Sequence, residues 1–212
     1  MKLTPQEVKR QYEKGMLKIA LLGMSNIGKS HFAKRLNRDF GLTPVEVDSF
    51  IQDKLGKSSM NDHAAWLGQP YSDGYTAREN EVMQLESEAT QDAMQQCLGS
   101  GNMVLDTPGS VIYTEQKILE QLTEQFWIIY IEADNSDVER LKELYYSSPK
   151  PLIWKDSYNP KLASSPDEAV MASYPNLLAI RAEIYSQLAD LTLPAQLLFE
   201  GKIDLAIALG LS

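Results

Sequence analysis

Two kinds of apolar pattern alternate along the chain. Compact apolar runs of strand length occupy residues 17–22, 45–47, 103–105 and 126–131, with a shorter one at 191–193. Between them, apolar side chains recur every three or four positions, the spacing that aligns them on one helix face. A helix over 30–39 carries Phe32, Ala33 and Leu36, with Phe40 at its end. A long helix over 75–98 carries Val82, Leu85, Ala89, Ala93 and Cys97. Further helices are predicted at 135–146, 175–189 and 202–209. Near the start, Thr4-Pro5 followed by Glu7 reads as a helix start, and that helix ends near Gly15.

Strands that are continuous apolar runs, separated by helices, imply a parallel sheet covered on both faces. The expected fold class is α/β: a three-layer, doubly wound parallel sheet of about five strands, in one domain over 1–212. Residues 1–16 form an N-terminal helical extension. Residues 49–80 form a helical region, and 147–159, rich in Ser, Pro, Lys and Trp, reads as an exposed loop with the composition of a mobile lid. Ligands of such sheets bind at the carboxyl ends of the strands. Gly23 onward, Asp48, and Asp106 onward therefore matter most.

Composition narrows this picture. At 212 residues, 43% hydrophobic and 23% charged, the chain is long enough and apolar enough for a real core. Its 20 basic against 29 acidic residues give a net charge of −9, which argues against nucleic acid as a partner. The single cysteine, Cys97, excludes an internal disulfide and a Cys-rich zinc site, and it lies on a helical apolar stripe as a small buried hydrophobe. No apolar run approaches the roughly 20 residues that span a bilayer, and the first ten residues lack the apolar core of a signal peptide. The expectation is a cytoplasmic monomer or homodimer with no membrane partner.

One motif carries chemistry outright. Gly23-Met24-Ser25-Asn26-Ile27-Gly28-Lys29-Ser30 matches G-x-x-x-x-G-K-[ST] between a predicted strand and a predicted helix. The glycines let the backbone turn tightly and aim its N–H groups at phosphate oxygens. The helix start adds unpaired N–H groups and a positive dipole end. Lys29 would reach the β- and γ-phosphates and Ser30 would hold Mg²⁺, so ATP and Mg²⁺ are the expected cofactors. His31 follows directly, and neither it nor His63 shows metal-ligand spacing. Asp106, at the end of a strand, is a candidate for holding the metal through water. Glu46 shares a strand face with Asp48 and is a second candidate.

Asp106-Thr107-Pro108-Gly109 resembles the D-x-x-G switch of small GTPases, yet the chain has no N-K-x-D or T-K-x-D guanine-reading motif. A second resemblance covers about residues 18–193. Glu46-Val47-Asp48-Ser49-Phe50-Ile51 resembles the acid-x-acid-x-x-Ile stretch of shikimate kinases. Tyr75-Thr76-Ala77-Arg78-Glu79 is similar to their F-R-x-x-E helix start. Residues 103–110 stand where they carry an apolar strand and a glycine-rich loop. Lys150-Pro151-Leu152-Ile153 resembles the R-P-L-L of their lid, and residues 181–190 resemble their late helix R-x-x-L-Y-x-x-x-A-D.

The resemblance implies a small-molecule kinase that transfers the γ-phosphoryl group of Mg-ATP to an acceptor hydroxyl. The matching Asp48 would contact that hydroxyl and take its proton. Thr76 stands where the family has its carboxylate-binding arginine, and Arg78 points about 200° away on an ideal helix. Pro108-Gly109-Ser110 replaces the glycine triplet, and Lys150 the lid arginine. These departures point to a small hydroxylated metabolite other than shikimate. The alternatives are a nucleoside or nucleotide acceptor, or a nucleotide-dependent switch without turnover. Lys150 and Arg140 could neutralise the transferring phosphoryl group or the nucleotide. Arg181 stands out without any family. On a wheel of roughly 100° per residue it falls in the middle of the stripe of Leu177, Ile184 and Leu188. A guanidinium there needs an anionic partner, and a substrate anion or a buried acid would serve.

Overall fold

Five strands form one parallel sheet: β1 (Lys18–Leu22), β2 (Thr43–Glu46), β3 (Met103–Asp106), β4 (Trp127–Glu132) and β5 (Leu191–Pro194), in the spatial order β2-β3-β1-β4-β5. The computed structural model describes residues 3–56, 59–99, 101–147 and 150–211. Of the expected segments, positions 1–2 of the N-terminal extension, 57–58 of the helical region and 148–149 of the lid lie outside the described residues. The helices are α1 (Pro5–Glu13), α2 (Lys29–Phe40), α3 (Val47–Lys54), α4 (Met60–Leu67), α5 (Tyr75–Cys97), α6 (Gln116–Gln125), α7 (Asn135–Ser147), α8 (Pro166–Leu188), α9 (Ala195–Phe199) and α10 (Leu205–Ala208).

The central strands are apolar because both faces are covered. Ile19 to Leu22 and Trp127 to Ile131 are all buried, against helix side chains such as Phe32, Leu36, Leu177 and Tyr185. Each such aliphatic side chain contributes about 1.5–3 kcal/mol on leaving water. Cys97 is buried on α5, and burial pushes its thiol up to about 12. Among the described residues, no helix is long and apolar enough to cross a membrane.

Several boundaries differ from the pattern-based reading. β2 ends at Glu46, and α3 starts at Val47 with Asp48 in its first turn, so Asp48 does not end a strand. A carboxylate there is favoured by the helix dipole. α8 begins well before Pro175, because Ser165 and Glu168 form a capping box around Pro166. Pro175 sits inside that helix. The helix expected over 202–209 is the shorter α10, and the short α9 before it was not expected. The stretch expected to be an exposed lid is packed down in its described part: Leu152, Ile153 and Trp154 are buried, Trp154 to 1% exposure. An indole and two aliphatic side chains that can reach a core do so, whatever the polarity of their neighbours.

The connections after β1 and β3 leave in opposite directions across the sheet: β1 leads to β2, and β3 leads to β4 on the other side of β1. A crevice opens at the carboxyl ends of such strands. Gly23 onward and Thr107 onward lie there.

Candidate functional site

The loop between β1 and α2 is built for close backbone approach. Asn26 has φ +64° and Gly28 φ +111°. The positive φ favours glycine at position 28, and a Cβ there would also displace the Phe199 ring, 2.4 Å from its Cζ. The start of α2 supplies the unpaired N–H groups that attract anions. Lys29, 7% exposed, folds back over the loop, and its Nζ donates to the carbonyls of Gly23 (3.0 Å) and Met24 (2.9 Å). Burial pulls its pKa down, and the carboxylates of Asp106 and Asp48 oppose that pull.

Strand register sets the acids beside the loop. Glu46 and Asp106 are direct partners on β2 and β3, and Asp106 pairs with Leu21 on β1. Burial pushes the Asp106 carboxyl up; Lys29 and a hydrogen bond from Ser30 pull it down, and Asp48 and Glu46 push it up again. Thr107 Oγ1 donates to Leu21 O at 2.7 Å and locks the end of β3 to β1. Lys150 Nζ lies 3.6 Å from Asp48 Oδ2, with both side chains partly exposed.

These groups line one cavity of about 320 Å³. Its wall includes Ser25, Asn26, Gly28, Lys29, Ser30 and His31 from the phosphate loop and α2, and Glu46, Asp48, Asp106, Pro108, Gly109 and Lys150 beyond it. A second recess of about 420 Å³ adjoins the same loop and is lined by Asn26, Ile27, Gly28, His31, Arg140 and Phe199. Arg140 bridges there from Asp137 Oδ1 (2.6 Å) to the carbonyl of Asn26 (3.2 Å). His31 meets the Phe199 ring edge-on, with centroids 5.7 Å apart. Gly23, Met24 and Ile27 shape the loop from within, and Met24 and Ile27 are buried.

Three of the residues expected to contact the acceptor do not line this cavity. Thr76 borders a separate hollow with Tyr75, Glu79 and Lys155. Arg78 is spent on the carbonyls of Leu67 and Asp73, both at 2.9 Å. Arg181, 1% exposed, lies behind Gly109, which its Nη1 closely approaches. Its Nη2 donates to Ile153 O at 2.7 Å, its guanidinium stacks on Tyr113 at 5.3 Å, and its Nε finds no hydrogen-bond partner. The hydroxyl of Tyr185, one turn along α8, donates to the carbonyl of Gly109. Arg181 and Tyr185 thus brace the loop after β3 from behind.

One charged residue of the cavity wall was not anticipated. Glu86 of α5 reaches it while only 5% exposed. Burial pushes its carboxyl up to about 7; a hydrogen bond with the Ser110 side chain pulls it down, Asp48 pushes it up, and Arg181 pulls it down. A signal was present. Glu86 sits between Val82, Ala89 and Ala93 on the apolar stripe of α5, as Arg181 does on α8.

Ser30 and Asp106 are the groups able to hold a divalent cation. Among the described residues, no three His, Cys, Asp or Glu side chains cluster as a ready-made metal cage.

No family model matches the chain, and no curated protein sequence matches it. Solved structures do. A shikimate kinase from Acinetobacter baumannii, in complex with shikimate, superposes with a TM-score of 0.59 at 19% identity, over 92% of this chain and 96% of that one. One from Bacteroides thetaiotaomicron gives 0.55 at 17% identity, over 84% and 86%. One from Aquifex aeolicus gives 0.52 at 20%, over 92% and 99%. The likeness is one of fold: this chain has the P-loop α/β fold seen in those kinases.

Proposed function

We propose that the protein is an ATP-dependent kinase of a small hydroxylated metabolite. The observation that carries this reading is the single cavity joining the phosphate loop to Asp48 and Lys150. The triphosphate lies along the loop from Ser25 to Ser30, and Lys29 leaves the Gly23 and Met24 carbonyls to meet its oxygens. The base occupies the recess beside Arg140, His31 and Phe199. Ser30 and Asp106, with Glu46 close by, would hold Mg²⁺, which would neutralise phosphate charge. Asp48 orients the acceptor hydroxyl and takes up its proton. The ion pair with Lys150 orients that carboxylate and sets a cation beside the transferring phosphoryl group. Arg181 acts at one remove, by holding Gly109 and the loop after β3.

The test is ADP release over a library of hydroxylated metabolites, coupled to calorimetry of ATP binding. Lys29→Ala should lose ATP affinity. Asp48→Asn should keep it and lose turnover. ATP binding with no turnover on any acceptor would overturn the kinase reading in favour of a nucleotide-dependent switch.

A further inference from the structure

A second pocket lies among the end of α3, α4 and α5, and none of its residues lines the cavity of the phosphate loop. It holds about 560 Å³. Leu55, Val82 and Leu85 give it an apolar wall, and His63 and Trp66 of α4 an aromatic one. Small-molecule sites are built in this way, mostly apolar with a few convergent polar groups.

Two of these side chains sit against their ordinary preference. Trp66 is 46% exposed, an indole face left to solvent. His63 is 4% exposed, and its Nδ1 is buried with no hydrogen-bond partner. An unpaired buried ring nitrogen costs free energy until something pairs with it. Burial pulls the His63 pKa down from 6.5, so at pH 8 the ring is neutral and carries one acceptor nitrogen. A half-turn about χ2 exchanges Nδ1 with Cδ2 in the same volume, so the ring can turn that nitrogen to the side that offers a partner. The two rings lie 5.7 Å apart with a tilt of 31°, one corner into which a further planar ring fits.

Charge narrows the choice of ligand. Asp62 and Glu81 stand exposed at the pocket, and no lysine or arginine lines it. Asp62 is already engaged, since its Oδ2 accepts from the main-chain N–H (3.1 Å) and Oγ (2.7 Å) of Ser59. The acids act by exclusion: an anion here would meet like charge with nothing to offset it.

We propose that this pocket binds a neutral aromatic molecule bearing one hydroxyl or ring N–H, its ring against Trp66 and its O–H or N–H donating to the His63 imidazole. The site shares no residue with the phosphate-loop cavity, so the proposal stands or falls apart from the kinase reading.

The experiment titrates the full-length, ¹⁵N-labelled protein at pH 8 and follows its imidazole NMR signals. The chain has two histidines, His31 and His63, and the signal missing from His63→Phe is that of His63. The probes are phenol against anisole and indole against benzofuran, pairs in which the donor is removed and the ring kept, with benzoate as the anion. Phenol and indole should move the His63 signal saturably, with Kd of about 1 mM or tighter, within reach of such small ligands. Each should bind about two- to tenfold tighter than its partner, the range for one neutral hydrogen bond, and benzoate should be poorest. In His63→Phe, with binding read from the ligand's own signals, the difference within each pair should vanish. Trp66→Ala, at an exposed position, should weaken phenol and indole about tenfold. It decides together with the wild-type pairs if His63→Phe folds poorly. No saturable movement of the His63 signal, equal binding within the pairs, benzoate binding as well as phenol, or affinities untouched by Trp66→Ala would each overturn the proposal.

Discussion

Replacing Glu86 by Gln should stabilise the empty protein, and only above mildly acid pH. Burial pushes the Glu86 carboxyl from the ordinary 4.5 to about 7 in the folded state. At about 1.4 kcal/mol per tenfold in proton affinity, that displacement amounts to about 3 kcal/mol. The sign follows from proton counts. Between pH 4.5 and 7 the folded state holds the proton and the unfolded state does not, so this group's contribution to stability falls as pH rises through that window. Below 4.5 both states are protonated and the cost vanishes; above 7 both are ionised and the cost is complete. Glutamine has nearly the same shape and never ionises. The assay is urea unfolding of wild type and Glu86→Gln at pH 4.5, 6 and 8, with the slope m compared as a check on the unfolded state. The variant should lie close to wild type at pH 4.5 and exceed it by about 2–3 kcal/mol at pH 8, or about 5–10 °C in Tm for a chain of this size. A difference that is constant with pH, or that grows toward acid, would refute the reasoning. Either result would mean that Glu86 is solvated or already neutralised in the empty protein.

Two other perturbations test how the site is held. A Cβ at Gly109 would lie 2.9 Å from both N and Oγ of Ser25 and 3.3 Å from Nη1 of Arg181. Gly109→Ala should therefore displace the phosphate loop and weaken ATP binding at least about tenfold by calorimetry, with a stability loss of about 1–3 kcal/mol; unchanged affinity would show that the two loops are not coupled. The Glu79 carboxylate accepts the main-chain N–H groups of Trp154 (2.7 Å) and Lys155 (3.0 Å) and the Tyr75 hydroxyl (2.9 Å). Glu79→Gln should cost about 1–3 kcal/mol and speed proteolytic cleavage within 150–159, read by mass spectrometry of the fragments; an unaltered cleavage rate would mean that Trp154 alone anchors the segment.

Strands were legible where burial is two-sided. A run such as Ile19 to Leu22 admits no half-exposed placement, so the pattern leaves one reading. β2, at the sheet edge, is short and partly exposed, and there the pattern carried one strand residue too far, past Glu46. The start of α8 was written in Ser165-Pro166-Asp167-Glu168, a capping box, but Pro175 also looks like a first-turn proline. Local rules score both positions well. What decides between them is the cluster of Tyr174, Trp154 and Tyr145, whose rings pack together across three segments. That packing also pulls the 150–159 stretch inward, which its composition could not reveal.

The cavity divides along the same line. The phosphate loop is contiguous in sequence, so its residues arrive together at the carboxyl end of β1. The far wall is assembled from α3, α5 and the loop after β3, and only tertiary height decides which residue of α5 reaches it. Glu79 and Glu86 are seven residues apart, so they share a helix face and stand about 10 Å apart along the axis. Both are buried acids on α5. Periodicity therefore treats them alike, and a short motif match around Tyr75 favours the first. The sheet favours the second. Glu79 meets the main chain of Trp154 and Lys155 and is saturated by it, whereas Glu86 meets Ser110 and open cavity. Thr76 and Arg78 fall with the register that would have brought them in. A charged residue in an apolar stripe thus marks a place where a helix passes something polar. What it passes depends on how far along the helix the sheet edge lies, and for α5 that edge lies two turns beyond the motif.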